Sequence, residues 1–98
     1  MSREAPFLPR EVTETVWRVA ARHGVRSVRV FGSAARGEQN AASDLDLLVD
    51  LEPRRSLLDL VGFVQDLEEQ LGRRVDAVTE KALSPYLRDR ILSEALPL

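Results

Sequence analysis

Residues 31–49 read FGSAARGEQNAASDLDLLV, and this stretch decides the fold: an apolar strand runs into a Gly-Ser corner, a polar spacer follows, and a second apolar strand opens on two aspartates. Gly32-Ser33 stands where the first strand ends and a short helical segment over Ser33–Arg36 can begin, so unpaired backbone N–H groups point at whatever lies before them. Phosphate suits such a corner. Glycine lets the backbone approach it closely, and the Ser33 hydroxyl can donate a further hydrogen bond. After ten intervening residues come Asp44 and Asp46. Strand geometry sets both carboxylates on one face, while Leu45, Leu47 and Val49 turn to the other and anchor in the core. Two carboxylates so placed can share a pair of magnesium ions, about 3.5–4 Å apart, that bridge the attacking and leaving oxygens of an in-line phosphoryl displacement. Asp50 falls on the same face but further along, and reads as a strand-end charge. Arg36 suits either a phosphate contact or a surface pair with Glu38. Gly-Ser alone is commonly a turn and Asp-x-Asp alone a solvated strand end; their conjunction, with a further aspartate in a later strand, carries the reading.

Outward from this stretch, RSVRVF (Arg26–Phe31) is short, β-branched and alternating, and predicts the first strand. Before it, Pro9 suits the first position of a helix in which Val12, Val16, Val19 and Ala20 recur at helical spacing until Gly24. Residues 1–8 read as a tail, and Gly37–Ser43 as a polar loop. Asp44–Leu51 is the second strand, closed by Pro53. Ser56 with Asp59 resembles a capping box, and Leu57, Leu60, Val61, Val64, Leu67 and Leu71 mark one face of a helix that stops at Gly72. Arg74–Thr79 predicts a third strand carrying Asp76 between Val75 and Ala77-Val78. If it adjoins the second, Asp76 completes the metal site and can accept the proton of an attacking hydroxyl. Ser84-Pro85 caps and starts a last helix through about Ala95. The order αβαβαβα has no repeat or linker, so residues 1–98 read as a single domain.

At 98 residues, 44% hydrophobic and 31% charged, the chain has material for one core and lies far from the composition of a disordered segment. So small a domain leaves apolar surface that a second subunit would cover, which makes association the default expectation. Zero cysteines and a single histidine exclude disulfides, thiolate zinc and histidine-rich metal sites, leaving a hard cation held by carboxylates. A net charge of −2 argues against unspecific nucleic-acid binding, although all but one of the 14 cations are arginine. No apolar run approaches membrane-spanning length and MSREAPFLPR has no apolar signal core, so a cytoplasmic protein with no membrane attachment is expected. The Gly32–Gly37 spacing of a P-loop fails at Glu38 and Gln39, where the lysine and hydroxyl residue should stand. No G-x-G-x-x-G is present. His23, in the last turn of a helix, reads as structural. Trp17, Phe63, Leu92 and Leu96 fall off the main helix faces and are candidates for either a subunit interface or edge packing.

FGSAARG at 31–37, SDLDLLV at 43–49 and VDAV at 75–78 together resemble the nucleotidyltransferase superfamily of DNA polymerase β in its minimal prokaryotic form, and in particular the minimal nucleotidyltransferase antitoxins paired with HEPN-type toxins. The resemblance covers nearly the whole chain. It implies an α/β fold, a small mixed sheet of three or four strands flanked by helices, and transfer of a nucleoside monophosphate from a magnesium-bound triphosphate to a hydroxyl. Carried onto this sequence, Gly32 and Ser33 are the triphosphate contacts, with Arg36 beside them. Asp44 and Asp46 are the metal ligands and Asp76 the third carboxylate, all three catalytic. In the antitoxin branch, the implied reaction moves AMP from ATP, with two magnesium ions, to a tyrosine of the HEPN toxin partner. Two other readings stay open: an antitoxin that neutralises its toxin by binding alone, and a transferase acting on a small molecule or another protein.

Overall fold

The structure, a computed structural model, describes residues 8–37 and 44–98. The expected tail up to Phe7, and most of the expected loop, from Glu38 to Ser43, lie outside the described residues. Helix α1 (Arg10–Arg22) follows Pro9, which stands one place earlier than expected: it is the cap, and its carbonyl accepts the N–H groups of Val12 and Thr13 at 3.0 and 3.2 Å. Val16, Val19 and Ala20 are buried, as their spacing requires. Strands β1 (Val25–Phe31) and β2 (Leu45–Leu51) pair antiparallel, with Val30 opposite Leu47 and Phe31 opposite Asp46. Helix α2 (Leu57–Leu71) then carries the chain across to β3 (Val75–Thr79), which lies parallel to β2, the arrangement a crossover connection permits. A 3₁₀ turn at Glu80–Ala82 leads to α3 (Pro85–Glu94), and a two-residue strand, β4 (Leu96–Pro97), pairs antiparallel with β1.

The sheet order is β3-β2-β1-β4, four strands of mixed direction, which agrees with the fold class implied by the resemblance. Val28 and Val30 of β1, Leu45, Leu47 and Val49 of β2, and Val75 of β3 are buried in one core with Val16, Val19 and Ala20 of α1 and Phe63 and Leu67 of α2. The alternate residues of β2 face the other way. Leu48 is buried there too, between its register partners Arg29 and Val78. No helix among the described residues is long and apolar enough to cross a membrane.

Four expectations are corrected. Phe63 is fully buried in the core and is no interface residue, whereas Leu57 and Val61, assigned to the core face, are 71% and 49% exposed. At about 100° per residue, Leu60, Phe63, Val64, Leu67 and Leu71 form a continuous arc, with Leu57 and Val61 beyond its margin. The packed face is therefore rotated toward Phe63. Ser33–Arg36 forms hydrogen-bonded turns rather than a helix, with Arg36 N–H donating to Gly32 O and Gly37 N–H to Ala34 O. Glycines with positive φ at 32 and 37 bound a segment too short to propagate a helix. Leu96 is not on the last helix: it pairs with Val30 and packs on the core. The backbone is already extended at Ala95, and Pro97 disfavours helical backbone at Leu96, the residue before it. The order αβαβαβα thus gains a final strand. Trp17 is 38% exposed and Leu92 half-buried, on helices whose outer sides face solvent.

Candidate active site

The strand pairings collect the predicted residues at one end of the sheet. Asp46 stands opposite Phe31 on one side and opposite Asp76 on the other, so the third carboxylate is the direct cross-strand neighbour of the second. Gly32, the residue after β1, has φ +70, and a Cβ built on it would collide with Oδ2 of Asp46. Glycine is required there twice over, for the left-handed backbone and for the close carboxylate. Ala34 is buried and pins the turn, Ser33 is half-buried, and Arg36 extends to solvent. Asp44 lies exposed just before β2, whose first N–H, on Leu45, donates to the Arg74 carbonyl at 2.9 Å. A cleft of about 230 Å³ opens between Asp44, Glu68, Arg74, Val75 and Asp76.

Electrostatics single out Asp46. Its half-burial, followed by the negative charges of Asp76 and Asp44, pushes its carboxyl above the usual aspartate range; Glu94 adds to this, and Arg36 opposes it. The donors are all oxygen, anionic and mutually repelling, which fits a hard divalent cation. Among the described residues no group of three or more His, Cys, Asp or Glu side chains converges closely enough to hold a metal alone. Asp44, Asp46 and Asp76 therefore line the site without closing a cage. Magnesium does not need one, because it is commonly held by one or two carboxylates together with substrate phosphates.

Two residues absent from the sequence reading belong to this region. Oε1 of Glu94 accepts the Gly32 N–H at 2.7 Å and the Arg36 guanidinium at 3.0 Å. Arg36 thus has a carboxylate partner other than Glu38, which lies outside the described residues. Oε2 of Glu68 accepts the Val75 N–H at 2.9 Å and ties α2 to the start of the strand that carries Asp76. No local pattern marks Glu94, which reaches Gly32 across 62 positions only because β4 folds back on β1. Asp50 is an exposed strand-end charge paired with Arg26 at 2.7 Å. His23 makes a 3.1 Å contact with Asp66 that joins the end of α1 to α2, a structural role as its position suggested.

Comparison with known proteins shows the family. Residues 13–98 match the model of the nucleotidyltransferase domain. The chain is 44% identical over 86 residues to MJ0435 of Methanocaldococcus jannaschii, named as a candidate protein adenylyltransferase, covering 88% of this chain and 92% of that one. It is 43% identical over 75 residues to protein adenylyltransferase MntA of Thermococcus cleftensis, covering 76% of each. A solved structure described as a candidate minimal nucleotidyltransferase superposes with TM-score 0.78 at 53% identity, covering 91% of both chains. The fold also recurs, at TM-score 0.71 and 20% identity over 86% of this chain and 69% of the other, in a toxin–antitoxin crystal structure containing AMP-PNP. The chain belongs to the nucleotidyltransferase domain family and is an enzyme of its minimal form.

Proposed function

We propose that this chain, folded as one domain over residues 1–98, is a cytoplasmic antitoxin that transfers AMP from Mg-ATP to a hydroxyl, a tyrosine, of a partner HEPN-type toxin. The observation that carries the reading is the placement of Asp46: opposite Asp76, against Gly32, and part-buried beside two further carboxylates that push its own carboxyl above the usual range. Its relatives' names, protein adenylyltransferase, support a protein acceptor, and the toxin–antitoxin neighbour supports a toxin as that acceptor.

In this reading the Gly32 N–H, the Ser33 hydroxyl and the Arg36 guanidinium hold phosphate oxygens of the nucleotide. Asp44 and Asp46, joined by Asp76, are the residues that would hold the metal, two ions in the full site. Magnesium there would offset the triphosphate's charge and stabilise the oxygens between which the phosphoryl group passes. The acceptor oxygen bonds to the α-phosphorus as the bond to the β-phosphate oxygen breaks, and pyrophosphate leaves with that electron pair. A tyrosine hydroxyl titrates near pH ~10, so it needs help to react at neutral pH, and Asp76 Oδ takes its proton. The test uses ATP labelled at the α-phosphate, the purified partner, and wild type beside Asp76→Asn. Label should pass to a tyrosine of the partner with wild type and fall at least about 100-fold with the variant, the loss typical of a missing general base. Equal labelling removes Asp76 as the base, and no labelling by wild type leaves the binding-only antitoxin as the better reading.

A further inference from the structure

The contact between Glu94 and the Gly-Ser corner bears on how nucleotide enters the site. Gly32 N–H and Arg36 are two of the donors assigned above to phosphate, and one carboxylate oxygen already takes both, at 2.7 and 3.0 Å. A carboxylate oxygen and a phosphate oxygen ask for the same donors and carry the same sign of charge, so the two compete for one position. Glu94 is anchored on its C-terminal side. Its side chain is only 20% exposed. Just after it, Leu96 pairs with Val30, and the Leu98 N–H donates to the Val28 carbonyl at 3.2 Å. The opposite side of the contact is loosely held, because α3 buries no residue and Ala95 is an extended joint between that helix and β4. The carboxylate can therefore be withdrawn by a movement of the end of α3 that leaves the β4 pairing intact.

We propose that Glu94 is an internal phosphate mimic, occupying the anion position formed by the Gly32 N–H and Arg36 in turn with the nucleotide's phosphate, and so setting the affinity for nucleotide. This rests on the assignment of that corner to phosphate. The competition predicts an unusual sign: removing an ordered, hydrogen-bonded side chain strengthens ligand binding, whereas loss of a residue that merely shaped the turn would weaken it. Glu94→Gln is the informative change because the amide carbonyl can still accept the Gly32 N–H while the charge that recruits Arg36 is gone.

Calorimetry with Mg-ATP on wild type and Glu94→Gln, with thermal melts to compare folding, reads the effect directly. The variant should bind about tenfold more tightly, the scale of one charge-assisted hydrogen bond released from competition. Equal or weaker binding by the variant, with wild type still binding, overturns the mimic and leaves the phosphate corner standing. Absence of binding by both proteins overturns the corner itself, and the mimic with it. A second measurement needs no variant: in amide spectra of ¹⁵N-labelled wild type, Mg-ATP should shift the signals of Gly32, Glu94 and Ala95 together. A Gly32 signal that moves while those of Glu94 and Ala95 stay fixed contradicts the displacement.

Discussion

Asp46 is where the cost of the site is concentrated. Its carboxyl is pushed up first by burial and then by Asp76 and Asp44, so the fold disfavours its charged form. A group whose pKa is raised on folding favours the folded chain at low pH, and that contribution is lost as pH rises through the folded value. Asp46→Asn is therefore expected to raise the melting temperature by a few degrees at pH 7 without added metal, and the gain should vanish below the ordinary aspartate value of 3.8. Magnesium should stabilise wild type more than the variant; melting curves across pH, with and without the ion, check both signs. At this scale the placement of the candidate residues is largely legible in the sequence. Gly32, Ser33, Asp44 and Asp46 lie close along the chain, and strand alternation alone sets the aspartates on one face. Asp76 needed only the inference that its strand adjoins the second, which the parallel register bears out. Glu94 was not legible, because its contact depends on how the chain end closes on β1, and nothing near residue 94 records that.

Among the elements, α2 shows how a strong pattern can still point a few tens of degrees off. Its apolar residues cover two adjoining stripes, one through Leu57 and Val61 and one through Phe63 and Leu67, and periodicity alone cannot say which meets the sheet. Packing against α1 and the strands chooses the second. Phe63→Ala is expected to cost about 3–5 kcal/mol by opening a cavity, while the equally apolar but 81% exposed Leu58 changed to alanine should stay within about 0.5 kcal/mol. Denaturant titration separates them easily. The start of the same helix is legible in the sequence: the Ser56 side chain accepts from Leu58 N–H, and Asp59 accepts the Ser56 N–H at 2.8 Å in a capping box. Ser56→Ala should cost about 1 kcal/mol at neutral pH. That backbone hydrogen bond from Ser56 is also the main cause holding the Asp59 carboxyl below its usual range, so the box stabilises the fold above pH 3.8 and loses its value as pH falls through the folded pKa. The cost of Asp59→Asn should therefore shrink over that interval, while that of Ser56→Ala, which keeps the backbone N–H and loses only the Oγ that accepts from Leu58, should change little. Strand limits were recovered to within a residue, whereas β4, at two residues, is too short to carry any alternation and was missed.

For the molecule as a whole, a four-stranded mixed sheet holds three aspartates and a glycine corner at one end, and both helices of the core pack on the opposite face from the carboxylates. Among the described residues, the outer sides of α1 and α3 carry the part-exposed Trp17 and the half-buried Leu92, which the proposed function leaves for a partner. Whether the proposed neutralisation is chemical or merely steric is the central matter, because tight binding alone could silence a partner without any transfer of AMP. The most direct measurement is the ribonuclease activity of the proposed HEPN-type partner after incubation with this chain, with ATP and magnesium and without them, each sample followed by intact mass. The account predicts that activity is lost only when nucleotide is present, with the partner heavier by one or more AMP units. Equal silencing without nucleotide and an unchanged partner mass would contradict it.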